Sequence, residues 1–170
     1  PGSIHERDGD RIYNTAPVID PSGHVVARYR KMFPFLPYEQ GVTAGSEFVV
    51  FDVPRIGRFG VSICYDMWFP ETTRTLAWMG AEVVIHPTMT NTIDRDVELS
   101  IARASAATNQ CYFVDINVAG DLGFGRSGLF GPGGEKLHEA GSSREVLAAE
   151  LDLAAIRAAR ARGWGGLTQP

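Results

Sequence analysis

At 170 residues, with 44% hydrophobic and 21% charged residues, the chain is long enough for one domain with a sizeable core and has the balance of a soluble globular protein. A formal charge of −4 and a pI near 5.5 leave no global basic field for nucleic acid, and no run approaches the ~18 consecutive apolar residues of a membrane span. The two cysteines, Cys64 and Cys111, lie in unrelated contexts, which suggests reduced thiols in a cytoplasmic protein and not a disulfide framework.

The opening "PGSIHERDGD" has no initiator Met and reads as a polar loop running into a strand, as if from the middle of a domain, so residues upstream of Pro1 are expected. "RIYNTAPVID" and "HVVARYRK" are β-rich runs joined by Asp20-Pro21-Ser22-Gly23, which predicts a hairpin from Arg11 to Lys31. Two prolines and two glycines make "MFPFLPYEQGVTAGSE" an irregular loop. "FVVFDV" and "RFGVSIC" form a second strand pair around Pro54 to Gly57, and a helix is expected from Pro70 to a close at Gly80. "AEVVIHP" is a short apolar strand covered on both faces. "DRDVELSIARASAATNQ" reads as a helix whose weak stripe of Val97, Ile101, Ala104 and Thr108 packs on a sheet.

After it come a strand at "CYFVDINVAG", a hairpin at "RSGLFGPGGEKLHEAG", a last strand at "REVLAAELD" and a helix from Leu153 to Arg162. Strands alternate with helices in one half and pair as hairpins in the other, so a mixed sheet with packed helices follows, an α/β or α+β layering in a single domain over residues 1–170.

Cys64 ends a β-run six residues before Pro70. An isolated cysteine in an apolar run is most often a buried core residue. A nucleophile, however, belongs at the tip of a strand on a sharp turn toward a helix, where backbone N–H groups face a developing oxyanion. A thiol also needs activation by a base or a nearby positive charge. His5, His24 and His138 fall in loops or turns, and His86 ends a buried strand where a hydrogen-bonded structural role is expected. Lys31 closes "ARYRK" before the Pro-rich loop, where a cation can point into a cleft.

Four stretches in order, "YRKMFPFLPYEQG", "FGVSICYDMWFPE", "ARASAATNQCYFVDINVAG" and "GRSGLFGPGGE", resemble the carbon-nitrogen hydrolase family, also called the nitrilase superfamily. The resemblance implies an αββα sandwich and a Glu-Lys-Cys triad with no metal or organic cofactor. Its lysine motif falls on Tyr29-Arg30-Lys31, its nucleophile motif on Cys64-Tyr65-Asp66 with Phe69-Pro70-Glu71, and its additional loop glutamate on Glu39. In that reading Cys64 attacks a carbonyl carbon, the Lys31 ammonium and the Tyr65 N–H hold the oxyanion, and Glu39 orients Lys31.

The family's general base lies upstream of the lysine motif. Only Glu6 precedes Lys31, in a piece that resembles the loop before the hairpin, so the chain looks like the C-terminal two-thirds of a member, without the triad glutamate and with its sheet partly uncovered. Thr108 stands where the family often has glutamate, within the stretch matched by Arg103 and Asn109.

Cys-Tyr-Asp looks more like the amidase and carbamoylase branches than like true nitrilases. The expected substrate is therefore a small amide or N-carbamoyl compound, with a nitrile as the second enzyme reading and a non-catalytic subunit as the third. Trp68, Phe69, Thr88, Met89 and Asn91 are candidate substrate contacts, apolar walls with a few hydrogen bonds. Homodimers or higher homo-oligomers are expected from the resemblance, with Trp164 a candidate anchor. "GFGRSG" satisfies G-x-G-x-x-G but precedes a hairpin and not a helix, so dinucleotide binding is set aside. Asp94, Asp96 and Glu98 begin a helix, where acidic residues are stabilising in any case.

Overall fold

The computed structural model describes residues 2–163, so the expectation for Trp164 lies outside the described residues. Strands β1 (Ile4–Asp8), β2 (Arg11–Ile19) and β3 (Val25–Arg30) form an antiparallel sheet in that order. Asp20 closes the β2–β3 turn by accepting from the Ser22 and His24 N–H groups at 2.8 and 2.9 Å, and Gly23 supplies the left-handed residue at φ +88°. Strand β1 corrects the polar-loop reading of the first residues: His5, Glu6 and Arg7 pair with Asn14, Tyr13 and Ile12. Most of its side chains are exposed, so no apolar alternation marks it in the sequence. Glu6 ties it down by accepting from Thr15 Oγ1 at 2.7 Å and from Arg30 Nε at 3.1 Å.

The second sheet has the order β4 (Val49–Val53), β5 (Gly57–Val61), β6 (Val83–Thr88), β7 (Tyr112–Asn117), β8 (Gly128–Phe130) and β9 (Lys136–Glu139). Strands β5, β6 and β7 run parallel, and the flanking pairs are antiparallel. Parallel neighbours need crossovers, which α1 (Pro70–Trp78) and α2 (Arg95–Asn109) provide. Helix α1 starts on Pro70 and stops at Gly80, φ +96°, with the Ala81 N–H donating back to Leu76 C=O at 2.9 Å. Asp152 caps α3 (Leu153–Arg162) by accepting from the Ala154 and Ala155 N–H groups at 2.9 and 3.1 Å.

Alternation along the strands then builds the layers. Val84, Phe113 and Phe130 face Leu76, Leu99, Ala102 and Ala106 of α1 and α2. Val83 and Tyr112, with Phe59, Ile85 and Val114, point to the opposite face and meet Ile156 of α3. Val61, two residues beyond Phe59, joins Val49 and Phe51 against Ala16 and Tyr29 of the three-stranded sheet. The result is the expected α/β layering of the αββα-sandwich type, helix on sheet on sheet.

Two expectations are corrected. The buried stripe of α2 is Leu99, Ala102 and Ala106 with Arg95, Glu98 and Asn109, while Val97 is 47% exposed; the helix covers a polar sheet edge, so its inward face does not follow hydrophobicity. Residues 144–152 form no strand. The segment is largely exposed, Val146 at 89%, and an apolar run makes no strand where no neighbouring strand completes the ladder. A cavity of about 580 Å³ lies between this segment and the α3-side face of the sheet, floored by Ile85, Val114 and Ile116. Ile116, on that floor, is 48% exposed.

Leu76, fully buried between α1 and the sheet, offers a direct test of this packing. Leu76→Ala is expected to lower unfolding free energy by about 2–5 kcal/mol, measured by urea titration.

Candidate active site

The chain leaves β5 still hydrogen-bonded to β6, with the Ser62 N–H donating to Ile85 C=O at 3.2 Å. Ile63 is extended at φ −129°, and Cys64 then turns to φ +47° before a 3₁₀ turn over Cys64–Trp68. A left-handed conformation costs a non-glycine residue about 1 kcal/mol or more, so something must hold it. Asp66 is that clamp. Its fully buried carboxylate accepts from the Ile63 N–H at 2.9 Å, the Phe33 N–H at 2.9 Å and the Tyr29 hydroxyl at 2.6 Å. Burial pushes the Asp66 carboxyl above its ordinary range although these three donors pull it down. Burial and the adjacent carboxylate push the Tyr29 phenol up as well, which keeps it a donor.

Lys31 follows β3 directly, pinned by its N–H to Asn14 C=O and its C=O to the Gly45 N–H, both at 2.8 Å. Its side chain is 2% exposed, and Nζ donates to Glu39 Oε2 at 2.6 Å. Glu39 also accepts from Asn14 Nδ2 at 2.6 Å and the Phe35 N–H at 2.5 Å. Burial works to raise the Glu39 carboxyl, but these donors, Lys31 first, more than offset it and hold it below the usual range.

The loop between Lys31 and Glu39 meets the Cys64 turn through aromatic rings. Phe33 stacks on Phe69 at 3.7 Å between centroids, and Tyr65 packs against Phe35 at 5.0 Å and edge-on to Phe69 at 5.4 Å. Trp68 is 37% exposed beside them, and Phe69 is half-buried.

Thr88 ends β6, and Met89 and Asn91 lie in the loop beyond. Because β5, β6 and β7 are parallel, their carboxyl ends share one edge of the sheet with Cys64, the usual place for ligands in such sheets. Thr88 is buried with its Oγ1 3.2 Å from Thr90 Oγ1, whereas Met89 and Asn91 are exposed.

The sequence singled out neither Asp66 nor Tyr29 as a pair, although Tyr29 is two residues from Lys31 and Asp66 two from Cys64. That equal spacing was the available signal. It also missed Asn14, and the polar row on the helix side of the sheet. There Ser62 Oγ lies 2.7 Å from His86 Nδ1, and His86 neighbours Asp115 in register. His86 is the buried, hydrogen-bonded strand residue that was expected. Desolvation, with the positive charges of Arg95 and Lys31, lowers it to about 3. Burial raises Asp115 to about 7 against the pull of Arg95, whose Nη2 is 2.7 Å from Asp115 Oδ2.

Cys111 is fully buried, and burial pushes its thiol up to about 12. In "GFGRSG", Ser127 Oγ accepts from the Asn117 N–H at 3.0 Å, and the run enters β8. Glu6 is engaged with Arg30 and Thr15. Among the described residues no group of three or more His, Cys, Asp or Glu side chains could hold a metal ion.

The sequence model of the family described as "Carbon-nitrogen hydrolase" matches residues 2–161. The chain belongs to the carbon-nitrogen hydrolase family. Among its relatives, the omega-amidase NIT2-A of Xenopus laevis is 33% identical over 167 residues, and omega-amidase NIT2 of Homo sapiens 31% over the same length. Each alignment covers 89% of this chain and 60% of the relative, so the chain spans about 60% of the length of the relatives it matches.

Two solved members superpose on it. Saccharomyces cerevisiae Nit3, a member of branch 10 of the nitrilase superfamily, gives a TM-score of 0.86 at 33% identity, covering 94% of this chain and 61% of that one. A variant of the amidase from Nesterenkonia sp. AN1, with the acetamide moiety of fluoroacetamide added covalently at its active-site cysteine, gives 0.77 at 28% identity, covering 83% and 56%.

Two measurements test the candidate site. Tyr29→Phe leaves the buried Asp66 short of one donor and is expected to lower stability by about 1–3 kcal/mol, read by thermal and urea unfolding.

The second concerns protons. Asp115, at about 7 folded against 3.8 ordinarily, favours folding most below pH 3.8, and that contribution is lost as pH rises through 7. His86, at about 3 against 6.5, favours folding above pH 6.5, and its contribution is lost as pH falls through 3. The two slopes oppose each other between pH 4 and 6.5. Asp115→Asn is expected to leave stability rising with pH across that window, and His86→Gln to leave it falling, measured by urea titration at each pH.

Proposed function

We propose that this chain carries the thiol and oxyanion-holding parts of an amidase-type hydrolase that cleaves a small amide or N-carbamoyl compound. The observation that carries the reading is the Tyr29–Asp66 hydrogen bond at 2.6 Å, which joins the strand leading to Lys31 with the turn that presents Cys64. Relatives named omega-amidases, and an amidase alkylated at its active-site cysteine, support it.

In the reaction, Cys64 Sγ forms a bond to the carbonyl carbon as the carbonyl π pair moves to oxygen. The Lys31 ammonium, oriented by Glu39, and the Tyr65 N–H hold that oxyanion. Its collapse breaks the C–N bond, the nitrogen takes a proton and leaves as ammonia or an amine, and a thioester remains. Water then adds to the thioester, releasing the acid and restoring the thiol. Trp68 and Phe69 wall the cleft on one side, with Thr88, Met89 and Asn91 on the other.

The base for the thiol and the water is a glutamate outside residues 1–170, since Glu6 is held by Arg30 and Thr15. Two unpaired cysteines support a cytoplasmic setting, and the reading includes self-association as a homodimer or larger homo-oligomer.

The test is ammonia release from short aliphatic amides, omega-amides, N-carbamoyl amino acids and nitriles. It is run with this chain and with a form extended upstream by the glutamate-bearing segment of a relative. Turnover of amides by the extended form is expected, abolished in Cys64→Ala and reduced about 10²–10³-fold in kcat in Lys31→Met. Turnover of nitriles alone would move the assignment to a nitrilase, and silence of both forms on every compound would overturn the amidase reading.

A further inference from the structure

Helix α2 opens with charged residues turned inward, beneath the loop that follows β6. Arg95 is 1% exposed and Glu98 4%. Arg95 Nη1 donates to Glu98 Oε2 at 3.2 Å, and Nη2 donates to Arg126 C=O at 2.8 Å while pairing with Asp115. Glu98 Oε1 in turn accepts from Thr90 Oγ1 at 2.9 Å, and Thr90 Oγ1 is 3.2 Å from Thr88 Oγ1. Asn117 grips the Thr90 backbone from β7: the Thr90 N–H donates to Oδ1 at 2.8 Å and the Thr90 C=O accepts from Nδ2 at 3.0 Å. One guanidinium thus ties α2, β7 and the loop ahead of β8 to Thr90.

A buried ion cluster of this kind is poor evidence for added stability, since apolar residues of similar volume often stabilise as well or better. What it does determine is geometry. The segment it fixes, Thr88 to Asn91, leaves β6 at the carboxyl edge shared with Cys64, and its two outward residues, Met89 at 60% exposure and Asn91, lie between pinned neighbours. Nothing in the thioester chemistry uses Thr90, Glu98 or Arg95.

We propose that Thr90, Glu98 and Arg95 form a positioning relay that sets the β6–α2 loop as the wall against which the acyl chain of the substrate is measured. The inference rests on the amidase reading for its substrate class and on the hydrogen-bond chain for its geometry. Thr90 is the sensitive link, because its hydroxyl joins the charged pair below to Thr88 above. Valine keeps its shape and removes the link; serine keeps the link.

The experiment compares the parent chain, Thr90→Val and Thr90→Ser in Cys64 alkylation by two electrophilic amides, acrylamide and the β-propyl-substituted hex-2-enamide, each variant's rate ratio being read against the parent's so that the reagents' intrinsic reactivities cancel. Cys111 is fully buried, so labelling located by peptide mass reads Cys64. Thr90→Val is expected to change the acrylamide to hex-2-enamide rate ratio by about 5-fold or more, the scale of one lost buried hydrogen bond. It should also speed amide hydrogen exchange at residues 89–92, and Thr90→Ser should restore both. In the upstream-extended form, the same variant should raise KM for longer amides more than for acetamide while kcat stays within about 3-fold.

An unchanged alkylation ratio in a folded Thr90→Val protein overturns the relay, as does a ratio that changes equally in Thr90→Ser. Absence of turnover in every form would count against the amidase reading alone, because alkylation and exchange need no turnover.

Discussion

Tyr29 and Asp66 come from different sheets and meet where neither touches water. Tyr29 belongs to β3 of the three-stranded sheet, and Asp66 to the turn that leaves β5 of the other. A phenol donating to a desolvated carboxylate is costly to break, because each partner would be left buried and unpaired. That bond sets the separation of the two layers at the point where Lys31 and Cys64 leave them. The Asp66 carboxylate also takes the Ile63 and Phe33 N–H groups, so it holds the left-handed Cys64 on one side and the start of the aromatic loop on the other. The apolar packing of Val61, Val49 and Phe51 against Ala16 and Tyr29 holds the sheets together, and this bond adds a directional link between the two motifs.

Around that bond the interior is unusually ionic for its size. Lys31 and Glu39 lie on one side, and Arg95, Glu98 and Asp115 on the other, all buried. Such groups add little net stability, but they admit few alternative arrangements, since each one leaves a charge without a partner. A reaction that develops negative charge on an oxygen benefits from donors that are fixed beforehand and need no reorganisation. The rigidity of this edge of the sheet therefore bears more on chemistry than on folding free energy.

Among the described residues most of the strands and all three helices were legible, because α1 begins on Pro70 and ends at Gly80, and β6 is an almost continuous apolar run that carries on through Pro87 to Thr88. The buried Lys31–Glu39 pair and the strand-end turn at Cys64 lie where the family's motifs put them. What escaped was set by partners distant in sequence. Strand β1 is polar and exposed and exists through β2. The segment 144–152 carries the apolar-rich run "VLAAEL" and forms no strand. The inward face of α2 carries Arg95 and Glu98, which periodicity assigns to solvent until the polar ends of β6 and β7 are seen beneath them. Asp66 read as part of a motif, while its task depends on a hydroxyl 37 positions earlier.

The two thiols stand in opposite surroundings. Cys64 is half-buried at the mouth of a turn, and Cys111 is sealed under α2 in a medium that disfavours its anion. Oxidants attack thiolates they can reach. Between the two cysteines, peroxide would accordingly reach Cys64 first and leave Cys111 and the core around it intact. The sulfenic acid formed first is reversible by a thiol reductant, so a mass gain on the Cys64 peptide and its loss on reduction would trace the redox history of one atom.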